Sequence, residues 1–210
     1  MKRYVKKFGV HSEGVVGLIL AGGSGSRLLP FTRYTHKSLL PIFDRPVIDY
    51  ALATFRRSGI NDITIVANRH IMQISEHIGP GLDEEHFQYV LEESPEGVAS
   101  ALNLARSRIE GRRFLLYFSD NITSWNFADD VAFFSEAHEP PGAVLLVREV
   151  ENPGAFGVCI IDDSGKIIDI LEKPEDSDSN LAVGGIYLFD ESFFDRFDAI
   201  DREGGFSISD

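Results

Sequence analysis

"LILAGGSGSRLLP" (residues 18–30) decides how the rest of the chain is read. A short apolar run stops abruptly in a Gly/Ser loop that closes on an arginine. An unbroken apolar run of this length suits a strand buried on both faces, as in a parallel sheet. Two common phosphate-binding loops fail here. A P-loop closes on Gly-Lys-Ser/Thr, and this loop holds no lysine. A dinucleotide fingerprint needs a third glycine after Gly23 and Gly25, and Leu28 holds that place. Two readings remain. One is a loop whose amides approach a polyphosphate, with Arg27 able to fork onto its oxygens. The other is a plain structural turn.

Working outward, the apolar pattern predicts strands at 15–21, 62–68, 87–93, 113–121 and 142–150. Helices are predicted at 46–58, 71–78, 98–109 and 128–137, with Gly59 as a C-terminal stop for the first. Strands alternating with helices predict a three-layer, doubly wound α/β domain around a mostly parallel sheet. Such sheets take ligands beyond the carboxyl ends of their strands. The Gly loop follows the first strand, "EESPEG" the third, and Asp120 the fourth. After residue 150 the texture becomes short β-like pieces, with "DDSG" as a hairpin signal. The expected organisation is a tail over 1–14, a nucleotide-binding core over 15–150, and a β-rich lobe over 151–210 that is incomplete at its C-terminus.

Composition narrows the function class. A net charge of -13 over 210 residues argues against a broad basic nucleic-acid footprint. No apolar run reaches the ~18 residues of a membrane span, and "MKRYVKKFGVHSEG" lacks the apolar core of a secretory signal. A cytoplasmic location is expected. Cys159, the single cysteine, sits in the apolar "GVCII" and is expected to be a buried core thiol in a reduced compartment.

The segment after the loop adds Lys37 in "HKSLLPI" and a Pro-led helix start in "RPVIDYAL". Together with "LAGGSGSRLLPFT" these blocks resemble the sugar nucleotidyltransferases, especially the glucose-1-phosphate thymidylyltransferase group. The likeness continues in order through "SPEGVASA" (94–101), "FSDN" (118–121), "FGV" (156–158), "LEKP" (171–174) and "GIYLFD" (185–190). It implies attack of a sugar-1-phosphate oxygen on the α-phosphorus of a nucleoside triphosphate, with pyrophosphate leaving and Mg²⁺ as cofactor. Such chemistry asks for positioning and charge neutralisation more than covalent help. By the same resemblance Arg27 and Lys37 meet the phosphates and Asp120 holds the metal. Leu20, Gly22, Gly23, Ser24, Gly25 and Gly97 then line the nucleotide, and Glu92 faces the base. Lys173 binds the sugar phosphate, Glu172 and Asn121 meet hydroxyls, and Gly157, Gly185 and Tyr187 line the sugar pocket. A homo-oligomer is also implied.

Three departures from the family pattern matter. Glu92 stands where the thymidylyl group usually has Gln. An ionised carboxylate only accepts hydrogen bonds, which suits the amino group of cytosine. The base is therefore dTTP or UTP by resemblance, with CTP as the alternative. A second metal aspartate, expected from a later W-x-D-x-G-like segment, has no counterpart up to Asp210, and "EGGFSISD" lacks both glutamates of the family's "RGELEITD". Ser26 replaces Thr and His36 replaces a common Ser, and His36 is expected as an exposed loop histidine. A cytidylyltransferase acting on a non-sugar phosphate or phosphonate stays open, as does a nucleotide-binding module of weak catalytic power.

Overall fold

The structure, a computed structural model, describes residues 14–199 except 83 and 139. The expected N-terminal tail and the "EGGFSISD" segment lie outside the described residues.

β1 (Val15–Ala21) is buried at every position. It sits at the centre of a parallel ladder with β4 (Asp62–Ala67) on one side and β6 (Arg113–Phe118) on the other. β5 (His86–Leu91) extends the ladder beyond β4, again parallel. Between these strands run α1 (Val47–Arg57), α2 (Ile71–Ile78) and α3 (Val98–Ile109), followed by α4 (Ala128–Glu136). Two small strands, β2 (Pro41–Ile42) and β3 (Arg45–Pro46), make a separate hairpin before α1.

The sheet divides the core into two apolar layers. One face packs Ala51, Leu52 and Phe55 of α1, Ile71 and Ile74 of α2, and Val131 and Phe134 of α4 against Ile19, Ile63, Ile65 and Tyr117. The other packs Ala101, Leu102, Ala105 and Ile109 of α3 against Leu18, Val66, Phe114 and Leu116. Alternate residues of β1 thus feed opposite layers, as the pleat demands. Phe55, Phe114, Tyr117 and Phe134 are fully buried. Each contributes about 2–3 kcal/mol of apolar transfer free energy. The three layers and the parallel centre agree with the pattern expected from the sequence.

Beyond β6 the pairing turns antiparallel. β7 (Ala143–Glu149) does not prolong the parallel ladder but pairs antiparallel with β10 (Leu181–Phe189). β10 in turn pairs antiparallel with β6 through Ile186–Tyr117 to Phe189–Phe114. β8 (Gly157–Ile161) and β9 (Ile167–Glu172) form the hairpin signalled by "DDSG", joined to β10 at Ala182–Val158. The strands after residue 150 are therefore hydrogen-bonded into the same eight-stranded sheet, in the order β5-β4-β1-β6-β10-β8-β9 with β7 branching off β10. The β7–β10 register breaks between Val183 and Tyr187, at the Gly184–Gly185 pair. α5 (Phe193–Ala199) closes the second layer with Phe194 and Phe197.

Candidate functional site

The carboxyl ends of the four parallel strands deliver polar residues to one corner. β1 ends in the Gly loop, β4 in Asn68, β5 in Glu92, and β6 in Ser119 and Asp120. A cavity of about 320 Å³ opens there, lined by Leu20, Gly22, Gly23, Lys37, Glu92, Pro95, Gly97, Val98, Ala101, Phe118 and Asp120. The sequence had nominated Leu20, Gly22, Gly23, Lys37, Glu92, Gly97 and Asp120, and the structure brings these seven together.

The Gly loop is held tightly. A Cβ on Gly22 would stand 1.6 Å from Glu92 Oε2, so only a bare backbone fits against that carboxyl. Gly25 takes a left-handed turn at φ 63°, a region that favours glycine, and its carbonyl accepts from Thr32 Oγ1 at 2.9 Å. Asn68 Nδ2 donates to the carbonyls of Gly22 (3.2 Å) and Gly23 (3.3 Å). Asn68 Oδ1 accepts from the amide of His70 at 3.0 Å.

Lys37 lies in a 3₁₀ turn, Lys37–Leu39. Its Nζ donates to Asp120 Oδ2 at 2.6 Å, across 83 residues of chain. Below this pair, Ser38 Oγ donates to Ser119 Oγ at 2.7 Å. His36 is buried, with 1% of its surface exposed, which corrects the expectation of an exposed loop histidine. Its Nε2 stands 2.6 Å from the Ala21 carbonyl, and its Nδ1 lies 3.1 Å from the Ser38 amide. A carbonyl only accepts and an amide only donates, so the ring is neutral and carries its proton on Nε2. Burial drives its pKa down to about 4 against the opposing pull of the Ala21 carbonyl, so the neutral form is the stable one.

Glu92 is 2% exposed. Burial pushes its carboxyl above the ordinary range, and the neighbouring charge of Glu96 adds to the rise. Among the described residues Glu92 makes no ion pair, since Lys37 is taken by Asp120.

The other expected residues fall outside this cavity. Ser24 and Arg27 are exposed on the loop, and Arg27 makes no ion pair among the described residues. Asn121 Nδ2 reaches the carbonyls of Phe118 (3.3 Å) and Gly185 (3.4 Å), tying the end of β6 to the register break in β10. Asn121 and Gly185 line a second, larger cavity of about 1100 Å³ with Trp125, Arg148, Glu149 and Phe156. Glu172 and Lys173 end β9 as an exposed pair, Oε1 to Nζ 3.1 Å. Lys173 has a left-handed backbone, φ 44°, uncommon outside glycine. Gly157 pairs with Glu172 across the hairpin. Tyr187 is buried, edge-on to Phe118 at 6.2 Å between ring centroids, and burial pushes its phenol pKa up.

Sequence reasoning missed Asn68, Ser38, Ser119 and the role of His36. Asn68 carried a usable signal: like Glu92 and Asp120, it is a polar residue at the carboxyl end of a parallel strand. His36 carried none, because its partner Ala21 is 15 residues away and offers only backbone. Among the described residues no cluster of three or more His, Cys, Asp or Glu could hold a metal ion. No helix among them is long and apolar enough to cross a membrane.

Comparison with known proteins agrees with this arrangement. A family model described as nucleotidyl transferase matches residues 16–204. A glucose-1-phosphate thymidylyltransferase of Xanthomonas campestris pv. campestris (strain B100) is 39% identical over 176 residues, covering 83% of this chain and 59% of the relative. The low-salt glycan biosynthesis nucleotidyltransferase Agl11 of Haloferax volcanii is 33% identical over 187 residues, covering 88% and 52%. The chain thus spans between half and three-fifths of the length of these curated relatives. A Bacillus anthracis crystal structure assigned as a glucose-1-phosphate thymidylyltransferase, in complex with a sucrose, superposes with a TM-score of 0.84 at 35% identity. The match covers 93% of this chain and 80% of that one. A UDP-glucose pyrophosphorylase complexed with UDP-glucose shares the fold, with a TM-score of 0.79 at 22% identity over 92% and 83% of the two chains. With a match to nearly its whole length and relatives above 30% identity, the chain belongs to the nucleotidyl transferase family.

Proposed function

We propose that this chain joins a nucleoside triphosphate to a sugar 1-phosphate, releasing a nucleotide sugar and pyrophosphate. An oxygen of the sugar phosphate attacks the α-phosphorus, and the bond from that phosphorus to the β-phosphate oxygen breaks. The observation that carries the reading is the Lys37 Nζ–Asp120 Oδ2 contact of 2.6 Å at the rim of a cavity walled by bare Gly22 and Gly23 backbone. A cation and a hard oxygen ligand stand together beside glycine backbone that a polyphosphate can approach closely. Lys37 neutralises phosphate charge, and Arg27, exposed on the same loop, is free to fork onto the departing pyrophosphate.

Asp120 suits Mg²⁺, which is commonly held by one or two carboxylates with substrate phosphates completing its shell. Its carboxylate is 57% exposed at the cavity rim, open to such an ion. The metal, when bound, offsets phosphate charge. The strands after residue 150 supply the sugar-phosphate side through Lys173, Glu172, Asn121, Gly157, Gly185 and Tyr187.

Glu92 sets the base. Protonated, its carboxyl offers one donor and one acceptor, as an amide does, and matches O4 and N3–H of thymine or uracil; burial moves the balance in that direction. Ionised, it only accepts, and cytosine's amino group is the better partner. Pyrophosphate release measured over dTTP, UTP, CTP, ATP and GTP against several hexose 1-phosphates, with Mg²⁺, tests the reading. Turnover with dTTP or UTP is expected; no turnover with any pair overturns it.

A further inference from the structure

We propose that His36 is a positioning residue for nucleotidyl transfer: its neutral ring is a strut that fixes Lys37 opposite Asp120 by bracing the Lys37 turn against the end of β1. The inference rests on the functional reading above for its kinetic consequence, but its geometry stands alone.

Three bonds converge on this one residue. Nε2–H donates to the carbonyl of Ala21, the last residue before the Gly loop, at 2.6 Å. Nδ1 accepts the amide of Ser38 at 3.1 Å, capping the turn that carries Lys37. The His36 amide donates to Gln73 Oε1 at 3.2 Å, and Gln73 Nε2 donates in turn to the Tyr34 carbonyl at 2.8 Å. α2 therefore anchors the backbone on one side while the ring anchors it on the other. Ser38 adds its hydroxyl bond to Ser119, the neighbour of Asp120. Both members of the Lys37–Asp120 pair are thus referred to the same buried frame, one through residue 36 and the other through residue 119.

A lysine on four methylene groups reaches many positions, and its turn is only three residues long. Without the strut the turn keeps Ser38–Ser119 but loses its tie to the Gly loop. The ring has a second property that matters. A cationic imidazole has no lone pair for the Ser38 amide, so the cap exists only while the ring is neutral. The charged and titratable groups acting on it are Lys37, His70 and Asp120.

The test compares His36→Asn with His36→Gln in the full chain. Asn keeps an acceptor at the Nδ1 position but falls short of Ala21. Gln places a donor near the Nε2 position and restores the tie to Ala21 while giving up the Ser38 cap. The first readout is the rate of acetic anhydride labelling at Lys37 Nζ without nucleotide or metal, followed by mass spectrometry. The second is kcat against KM for the sugar phosphate. In His36→Asn, Lys37 labelling is expected to rise about threefold or more as the turn opens locally. kcat is expected to fall about tenfold with KM for the sugar phosphate unchanged. His36→Gln is expected to recover part of both. Labelling in His36→Asn equal to the unsubstituted chain, or no recovery in His36→Gln, overturns the proposal. Loss of the thermal transition in both variants also overturns it, assigning His36 to folding alone. If the unsubstituted chain turns over no substrate pair, the functional reading fails while the labelling still decides the strut.

Discussion

Glu92→Gln is expected to stabilise the fold at neutral and alkaline pH and to do so in a pH-dependent way. Glu92 is 2% exposed, its Oε2 sits against the Gly22 backbone, and no cation faces it among the described residues. Burial raises its folded pKa above the unfolded value, with Glu96 adding to the rise. The sign follows from linkage. A carboxyl with a raised folded pKa binds its proton more tightly folded than unfolded, so stability falls as pH rises from the unfolded pKa through the folded one. Above that window the chain carries the full cost of an unpaired buried charge. Leaving a buried polar group unsatisfied costs about 1–3 kcal/mol, and the group's contact with the open cavity places it in the lower half, at about 1.5 kcal/mol. For a domain of this size that is a rise of about 3–6 °C in unfolding midpoint. Thermal unfolding followed by circular dichroism at pH 8, 6 and 4.5 measures it. The gain from Gln should be small at pH 4.5 and grow towards pH 8. A neutral or destabilising effect at pH 8, or a gain that ignores pH, would refute the claim that burial dominates this carboxyl.

Lys37→Ala should lower turnover by about 10²–10³-fold, as removal of a charge-stabilising donor does. It should barely move the unfolding midpoint, because an ion pair whose carboxylate is largely exposed is worth under about 1 kcal/mol. Gly22→Ala forces a Cβ into Glu92 and should cost about 1–3 kcal/mol in urea unfolding. Adding Glu92→Ala should remove most of that cost, whereas two additive losses would place the clash elsewhere. Arg56→Ala strips the bidentate partner from Glu85, whose side chain is 3% exposed. With Arg56 itself about a third exposed, the loss should be about 2 kcal/mol at pH 7. Arg56 holds the Glu85 carboxyl below its ordinary range, so this stabilisation is present above the unfolded carboxyl pKa and fades as pH falls below it. Urea midpoints at pH 7 and pH 3.5 should therefore converge between Arg56→Ala and the parent.

The parallel half of the fold was legible because apolar runs, continuous in β1 and mixed with polar residues in β5, stop at polar or Gly-rich breaks. Residues 15–21, 71–78 and 98–109 were bounded correctly from the apolar patterning and those breaks. β7 read equally well as a strand, yet nothing in "GAVLLVREV" says that its partner is β10, running antiparallel, 38 residues later. Pairing direction is set by the return of the chain, not by the strand's own composition. The site shows the same division. Lys37, Glu92 and Asp120 stand at strand ends or beside the loop, where polarity interrupts an apolar run. His36 offered no such contrast, since its burial is conferred by Ala21, Ser38 and Gln73, and a histidine between Thr35 and Lys37 looks solvated in one dimension.

The absence of a P-loop lysine has a structural counterpart that explains the arrangement of charge. In a P-loop the glycines lead straight into a helix whose N-terminus adds its dipole to the bound phosphates. Here the loop leads into three short 3₁₀ turns, and the first α-helix begins only at Val47. A three-residue turn has almost no macrodipole, because the effect sums over aligned peptides. Positive charge must then come from side chains, and flexible side chains must be held in place. Lys37 is held by Asp120 at its tip and by His36 and Ser38 at its base, while Asn68 Nδ2 donates to the Gly22 and Gly23 carbonyls. Each of these bonds is worth only about 1 kcal/mol net, but the buried partners, His36, Ser38 and Asn68, would cost more than that if orphaned. The buried part of the frame therefore holds together, and that is how a loop without a helix behind it keeps a fixed shape.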